Sequence, residues 1–124
     1  MSLAPSKTIF RIKEGYIGGW SGSYTMAAGG TTLLEYNNPA EFYLTRVMVG
    51  MDFSTQQVGD TLFLILDVDG QSLYVEKYVL TDLNIGIQPK MMEFVIPPNS
   101  LVKVIAGQSG NRGGASATLT GFRQ

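Results

Sequence analysis

The chain has 124 residues, 44% hydrophobic and 15% charged, with nine basic and ten acidic side chains and a net charge of −1; this suits one domain, and the scattered, near-neutral charge argues against a nucleic-acid partner. Cys and His are both missing, which removes disulfides, thiolate metal sites, the commonest general base and the commonest transition-metal ligand, so neither a cofactor nor an enzymatic activity is expected. A charged fraction below the ~25% of an average globular chain leaves solubility to Gly and uncharged polar side chains, or to burial against partners within an assembly.

Residues 1–6, MSLAPS, read as a mobile arm in which Leu3 and Pro5 offer a few apolar contacts to a neighbouring subunit or lattice. No basic stretch followed by a long apolar run opens the chain, and no apolar run has membrane-spanning length, so neither a secretory signal nor a membrane partner is expected. Thr8 to Lys13 alternates as a short peripheral strand. Gly15 to Gly30 holds six of the fifteen glycines with Tyr16, Trp20, Tyr24 and Met26 interleaved, a composition that favours a long loop. Thr31 to Tyr36 resumes a strand, Asn37-Asn38-Pro39 breaks it, and Glu41 to Phe53 is the longest strand candidate. Tyr43, Thr45, Val47, Val49 and Met51 share one of its faces, Phe42, Leu44, Arg46 and Met48 the other, with Gly50 suggesting a bulge or bend.

Thr61 to Leu80 is the clearest signal: two β-rich runs joined at Asp69-Gly70, residues that suit a two-residue type I′ turn because both central positions need positive φ. Leu62, Leu64, Leu66 and Val68 then fall on one face, Phe63 and Ile65 on the other. Asn84 to Lys90 reads as a turn, Met91 to Ile96 as a strand, and Pro97-Pro98-Asn99-Ser100 as the next turn. Leu101 to Ala106 is an apolar strand, Gly107 to Gly114 a polar loop, and Ala115 to Phe122 a strand with one wet face.

The expected fold is therefore all-β: one antiparallel β-sandwich domain over residues 7–124, an eight-stranded jelly roll. Glu41 to Phe53 and Thr61 to Val68 are apolar on both faces, whereas a single sandwich core covers one, so a further layer is expected, supplied by own copies in a homo-oligomer, a trimer.

Candidate sites are few. Asp67, Asp69 and Gly70 imitate the start of a calcium loop but lack its closing bidentate Glu, and the turn accounts for them. Glu35 with Glu41, or Asp52 with Asp60, would need to meet for glycoside cleavage, and isolated acids at strand ends are ordinarily solvated. Ser21, Gly22 and Ser23 have no His or suitably spaced Lys to activate a nucleophile. Tyr16, Trp20 and Tyr24 on a Gly-rich loop are read first as anchoring that loop on the sandwich edge or a neighbouring subunit, and second as stacking on sugar rings, with Asn37 or Asn38 supplying hydrogen bonds. Phe42, Leu44 and Met48 are the matching interface candidates on the longest strand.

The stretch MMEFVIPPNSLVKV at Met91 to Val104 and the ending ASATLTGFRQ together resemble the C-terminal half of small single jelly-roll structural proteins of tailed phages. The resemblance covers about a quarter of the chain and carries no functional residue. It implies a non-enzymatic virion component, a head decoration, vertex or tail-associated protein that binds its own copies and a capsid or tail lattice. A carbohydrate- or receptor-binding module is the alternative expectation.

Overall fold

A computed structural model of the chain describes residues 9–13, 15–38, 40–51, 57–79 and 90–123. Ten strands are found among them: β1 (Ile9–Lys13), β2 (Tyr16–Trp20), β3 (Tyr24–Thr25), β4 (Thr31–Asn37), β5 (Tyr43–Met51), β6 (Thr61–Val68), β7 (Gln71–Val79), β8 (Lys90–Ile96), β9 (Leu101–Gln108) and β10 (Gly114–Arg123). They build two antiparallel sheets, one in the order β1-β2-β10-β5-β8 with β3 also on β10, the other β4-β9-β6-β7. The inward faces share one hydrophobic core, with Ile17, Val47, Val49, Leu119 and Ile96 from the first sheet and Leu34, Leu62, Leu64, Leu66 and Val104 from the second. The all-β sandwich expected from the sequence is present.

The β6–β7 hairpin forms as its sequence dictates. Asp69 and Gly70 have φ of 53° and 83°, and Val68 pairs with Gln71 across the two-residue turn, as a type I′ connection requires. The Asp69 carboxylate also accepts from the Leu101 backbone N–H at 2.7 Å, while the Asp69 N–H donates to the Leu101 carbonyl at 2.8 Å. The turn is thereby tied to the start of β9. Two bulges sharpen strand geometry: the register slips between Thr32 and Leu34, so Leu33 and Leu34 are both buried, and again near Leu66–Asp67, opposite Leu73.

Several expectations need correction. The two strands beyond the expected eight, β2 and β3, both come from the segment 15–30, which is not a long loop. Two of its glycines, Gly18 and Gly19, sit within β2, and a Cβ at Gly18 would strike the Tyr16 ring. The fully buried Ser21 joins the two pieces, pairing its backbone N–H with the Ala117 carbonyl at 2.9 Å and accepting the Ala117 N–H on its hydroxyl at 2.8 Å. The side chain thus extends the ladder along β10 through a residue outside either strand. Gly50 marks no bulge, since Gly50 pairs in unbroken register with Ser116. Nor does Gly107 begin a loop: β9 continues through Gln108, with the Phe63 ring of β6 lying where a Gly107 side chain would be.

That same ring changes the account of the second face of β6. Phe63 and Ile65 are half-buried by cross-strand neighbours of their own sheet, Phe63 over Gly107 and Gly30 and Ile65 between its partners Val75 and Ile105, while Val75 and Val79 on the same face stay exposed. The expected arm at 1–6, Pro39, Asp52 and Phe53 at the end of the longest strand candidate, Leu80, and the turn from Asn84 to Pro89 lie outside the described residues.

Gly107→Ala is expected to lower stability by about 1–3 kcal/mol through overpacking against Phe63, read as a shift in the urea midpoint. In a Phe63→Leu background the cost of the same substitution should shrink; an equal cost in both would mean that the ring is not its cause.

Candidate functional site

Among the described residues, six of the ten exposed large apolar side chains lie on the outer face of the first sheet, and three others, Leu73, Val75 and Val79, lie on β7 of the second. Alternation decides which residues point outward on the first sheet. On β10, Ala115, Ala117 and Leu119 are buried whereas Thr118, Thr120 and Phe122 are exposed; directly paired residues share a face, so the outward partners are Trp20, Gly18 and Tyr16 on β2 and Met48, Arg46 and Leu44 on β5. One strand further, Met91, Glu93 and Val95 of β8 face the same way. Trp20, Phe42, Met48, Met91, Val95 and Phe122 are between 44% and 58% exposed, far more apolar surface than scattered solvent-facing residues leave on one side of a small sheet.

Five of the six candidate residues are thus brought together. Tyr16, Trp20, Leu44 and Met48 lie on this face by register, and Phe42 is exposed immediately before β5. Tyr24 is not among them. Its partner on β10 is the buried Ala115, so Tyr24 turns inward and packs against the core. The expected trio fails because Ser21 to Ser23 break the alternation between Trp20 and Tyr24, which one continuous strand would have kept. Asn37 and Asn38 do not join the aromatics either. Asn37 pairs with Leu101 in the other sheet, and the buried Asn38 donates to the carbonyls of Pro97 at 2.9 Å and Glu41 at 3.2 Å, holding the 97–100 turn.

Between Tyr16 and Trp20 runs an open groove of about 350 Å³ lined by Gly18, Gly19, Thr118, Leu119 and Thr120 as well as the two aromatics. The glycines let the chain form its floor, Tyr16 leans over Gly18 and stacks at a tilt on Phe122 with ring centroids 5.6 Å apart, and none of the lining residues is charged. A smaller recess of about 100 Å³ lies beside it among Leu44, Arg46, Glu93, Thr120 and Phe122. Met91 and Val95, absent from the sequence-based candidates, complete the face. Their signal was available in the alternation of MMEFVI, where Met92, Phe94 and Ile96 turn inward, but it needed the β5–β8 register to attach it to Met48 and Leu44.

The acidic residues weighed for catalysis are dispersed. Glu35 meets Lys103 at 3.5 Å on the second sheet, and Glu41 meets Arg123 at 3.2 Å at the edge of the first. Asp60 lies at one end of the sandwich, where both its oxygens accept from Arg112 Nη2 at 2.6 and 2.8 Å and one accepts from the Gln57 N–H at 2.7 Å. Glu35 and Glu41 are thus engaged by different cations on different sheets, and Asp52, the other residue weighed with Asp60, lies outside the described residues. Among the described residues no group of three acidic, His or Cys side chains is assembled to hold a metal ion.

Comparison with known proteins returns no family: no family model matches the chain, and no curated protein matches it.

The Asp60 cluster carries a pH dependence. The Gln57 backbone hydrogen bond, followed by the hydrogen bond and charge of Arg112, holds the Asp60 carboxyl below the usual carboxylate range against the opposing effect of burial. A lowered folded pKa stabilises the fold above the unfolded value of ~3.9 and ceases to do so as pH falls through the folded one. Asp60→Asn is expected to flatten the loss of urea resistance below pH ~4 relative to the parent chain; an unchanged acid limb would assign the loss to other carboxylates.

Proposed function

We propose that the chain is a non-enzymatic structural subunit that works by self-association and by covering a capsid or tail lattice through the outer face of its first sheet. One observation carries this: six large apolar side chains from β2, β5, β8, β10 and the Phe42 approach stand half-exposed on a single face, while the interior beneath is already a filled core. Exposing such a face costs solubility in a chain with few charges, and covering it by a partner removes that cost at roughly 25 cal/mol for each Å² of apolar surface taken from water.

The strand order supports a jelly roll, the architecture of the phage structural proteins that the C-terminal half resembles. Without β1 and β3 the sheets read β2-β10-β5-β8 and β4-β9-β6-β7, the alternation that two interleaved Greek keys produce. The virion setting rests on that resemblance together with the assembly-prone face.

A second reading is favoured by the groove. Two outward aromatics, Tyr16 and Trp20, flanking a glycine floor with the Thr118 and Thr120 hydroxyls beside it suit the flat face and the hydroxyls of an uncharged sugar ring.

Val95→Glu is expected to shift the chain from oligomer toward monomer in light scattering with little change in melting temperature, because the position is exposed in the subunit and covered only on assembly; in purified particles of the source phage the wild-type chain should appear as a stoichiometric component by mass spectrometry. A wild-type monomer at every concentration, and no copy in the particle, would remove the assembly role. Trp20→Ala tests the second reading: selective binding on a glycan array that this substitution abolishes, with self-association intact, would put sugar recognition first.

A further inference from the structure

The outer face of the first sheet carries a single charged pair amid apolar neighbours on β5 and β8, and its placement selects a partner. Across these two strands the outward residues form three rungs: Leu44 with Val95, Arg46 with Glu93, and Met48 with Met91. The middle rung is an ion pair in which Arg46 Nη2 and Nε donate to Glu93 Oε2 at 3.1 and 3.3 Å, both side chains remaining at least half exposed. We infer that this part of the face is closed by the same part of a second copy, about a two-fold axis running along the strands midway between β5 and β8. The inference rests on the assembly role proposed above and supplies its first partner and its register.

A half-turn about that axis lays β5 of one copy over β8 of the other. Arg46 then meets Glu93 of the partner subunit, Glu93 meets the partner subunit's Arg46, and the four charges alternate in sign around the axis. The same operation sets Leu44 on Val95 of the partner subunit and Met48 on Met91 of the partner subunit, so that apolar rungs cover apolar rungs. Alternative placements fail on charge. An axis running across the strands through the middle rung sets Arg46 against the partner's Arg46. Sliding one copy along the strands by a rung drives Arg46 and Glu93 into Met or Leu and Val side chains, where each charge loses water without gaining a new partner.

The division of labour follows from the energetics of buried ion pairs. The apolar rungs supply the attraction, whereas the charges reject wrong registers more than they strengthen the right one. A self-complementary face closes on itself as a pair, not as the trimer expected from the sequence. Because the overlap spans two strands, the pairing falls at the small end of specific interfaces and gains strength from repetition in a lattice. β2 lies two strands from the axis on the β5 side, beyond β10, which leaves the Tyr16–Trp20 groove outside the overlap.

Opposite single reversals, Arg46→Glu and Glu93→Arg, test the register. Both positions are exposed in the subunit, and circular dichroism checks that each variant keeps its sheet signal. Alone, each variant places like charges across the axis twice and is expected to self-associate ~10-fold or more weakly than the parent in sedimentation equilibrium. Mixed in equal amounts, the carboxylates of one variant face the guanidinium groups of the other, and association should return to about the wild-type level. Lys103→Glu and Glu35→Lys, a reversed pair on the second sheet, control for general attraction: each alone should associate like the parent, and their mixture should be no stronger than either. Single variants that associate like the parent, or a mixture no stronger than either variant alone, overturn the two-fold register. Should Val95→Glu still abolish association in that case, the assembly role stands and only the register falls; a parent chain that stays monomeric throughout overturns both.

Discussion

The structure depends on the seams that its last two strands make in the middle of each sheet. β10 pairs with β2 and β3 along one edge and with β5 along the other, and β9 does the same between β4 and β6. Neither sheet is continuous until the C-terminal strands have been inserted between strands formed from the first half of the chain. Such pairings close long loops before any contact rewards them, so the entropy of closure is met late and folding is expected to be slow relative to helical domains of this size. The β6–β7 hairpin is the exception, since its type I′ turn makes it a local unit, and the hydrogen bonds from Asp69 to Leu101 connect that local unit to the central strand of its sheet.

Glycine and aromatic residues solve the same packing problem in both sheets. Gly18 accommodates Tyr16 and Gly107 accommodates Phe63, each pair placing a ring over a backbone that carries no side chain of its own. In the second sheet the ring half-buries the outer face of β6. In the first the Tyr16 ring forms one wall of a groove floored by glycine backbone and leaves Trp20 standing at the other end. Both outer surfaces carry exposed apolar side chains: the second sheet combines Val75 and Val79 with the Glu35–Lys103 ion pair beside Asp67, whereas β5 and β8 of the first place theirs around the Arg46–Glu93 pair.

The apolar outer face of the first sheet is what links the fold to the proposed function. A sandwich needs only its inner faces apolar to be stable, so half-exposed Trp20, Met48, Met91, Val95 and Phe122 contribute nothing to the core that smaller polar residues would not allow. In the proposed assembly they supply the attraction for a second copy, and the Arg46–Glu93 pair among them gives that attraction an orientation.

The sequence by itself determined the local grammar of this protein. Alternation grouped the residues that share a face on β5, β6 and β10 correctly, because period two is a property of extended backbone and a half-buried sheet enforces it, and Asp69-Gly70 specified a turn whose positive φ values few other residues adopt. The tertiary structure alone decided everything that depends on which strands are neighbours. Gly15 to Gly30 read as a loop because glycine weakens a strand in isolation, yet it pairs once β10 lies beside it and aromatic rings fill the missing side chains. Tyr24 read as a companion of Trp20, yet a break at Ser21 to Ser23 turned it into the core. The candidate face was legible as separate residues, Tyr16, Trp20, Leu44 and Met48, and became a surface only through the register of β2, β10, β5 and β8, since cross-strand contacts join residues far apart in the chain and no local pattern encodes which of them will meet.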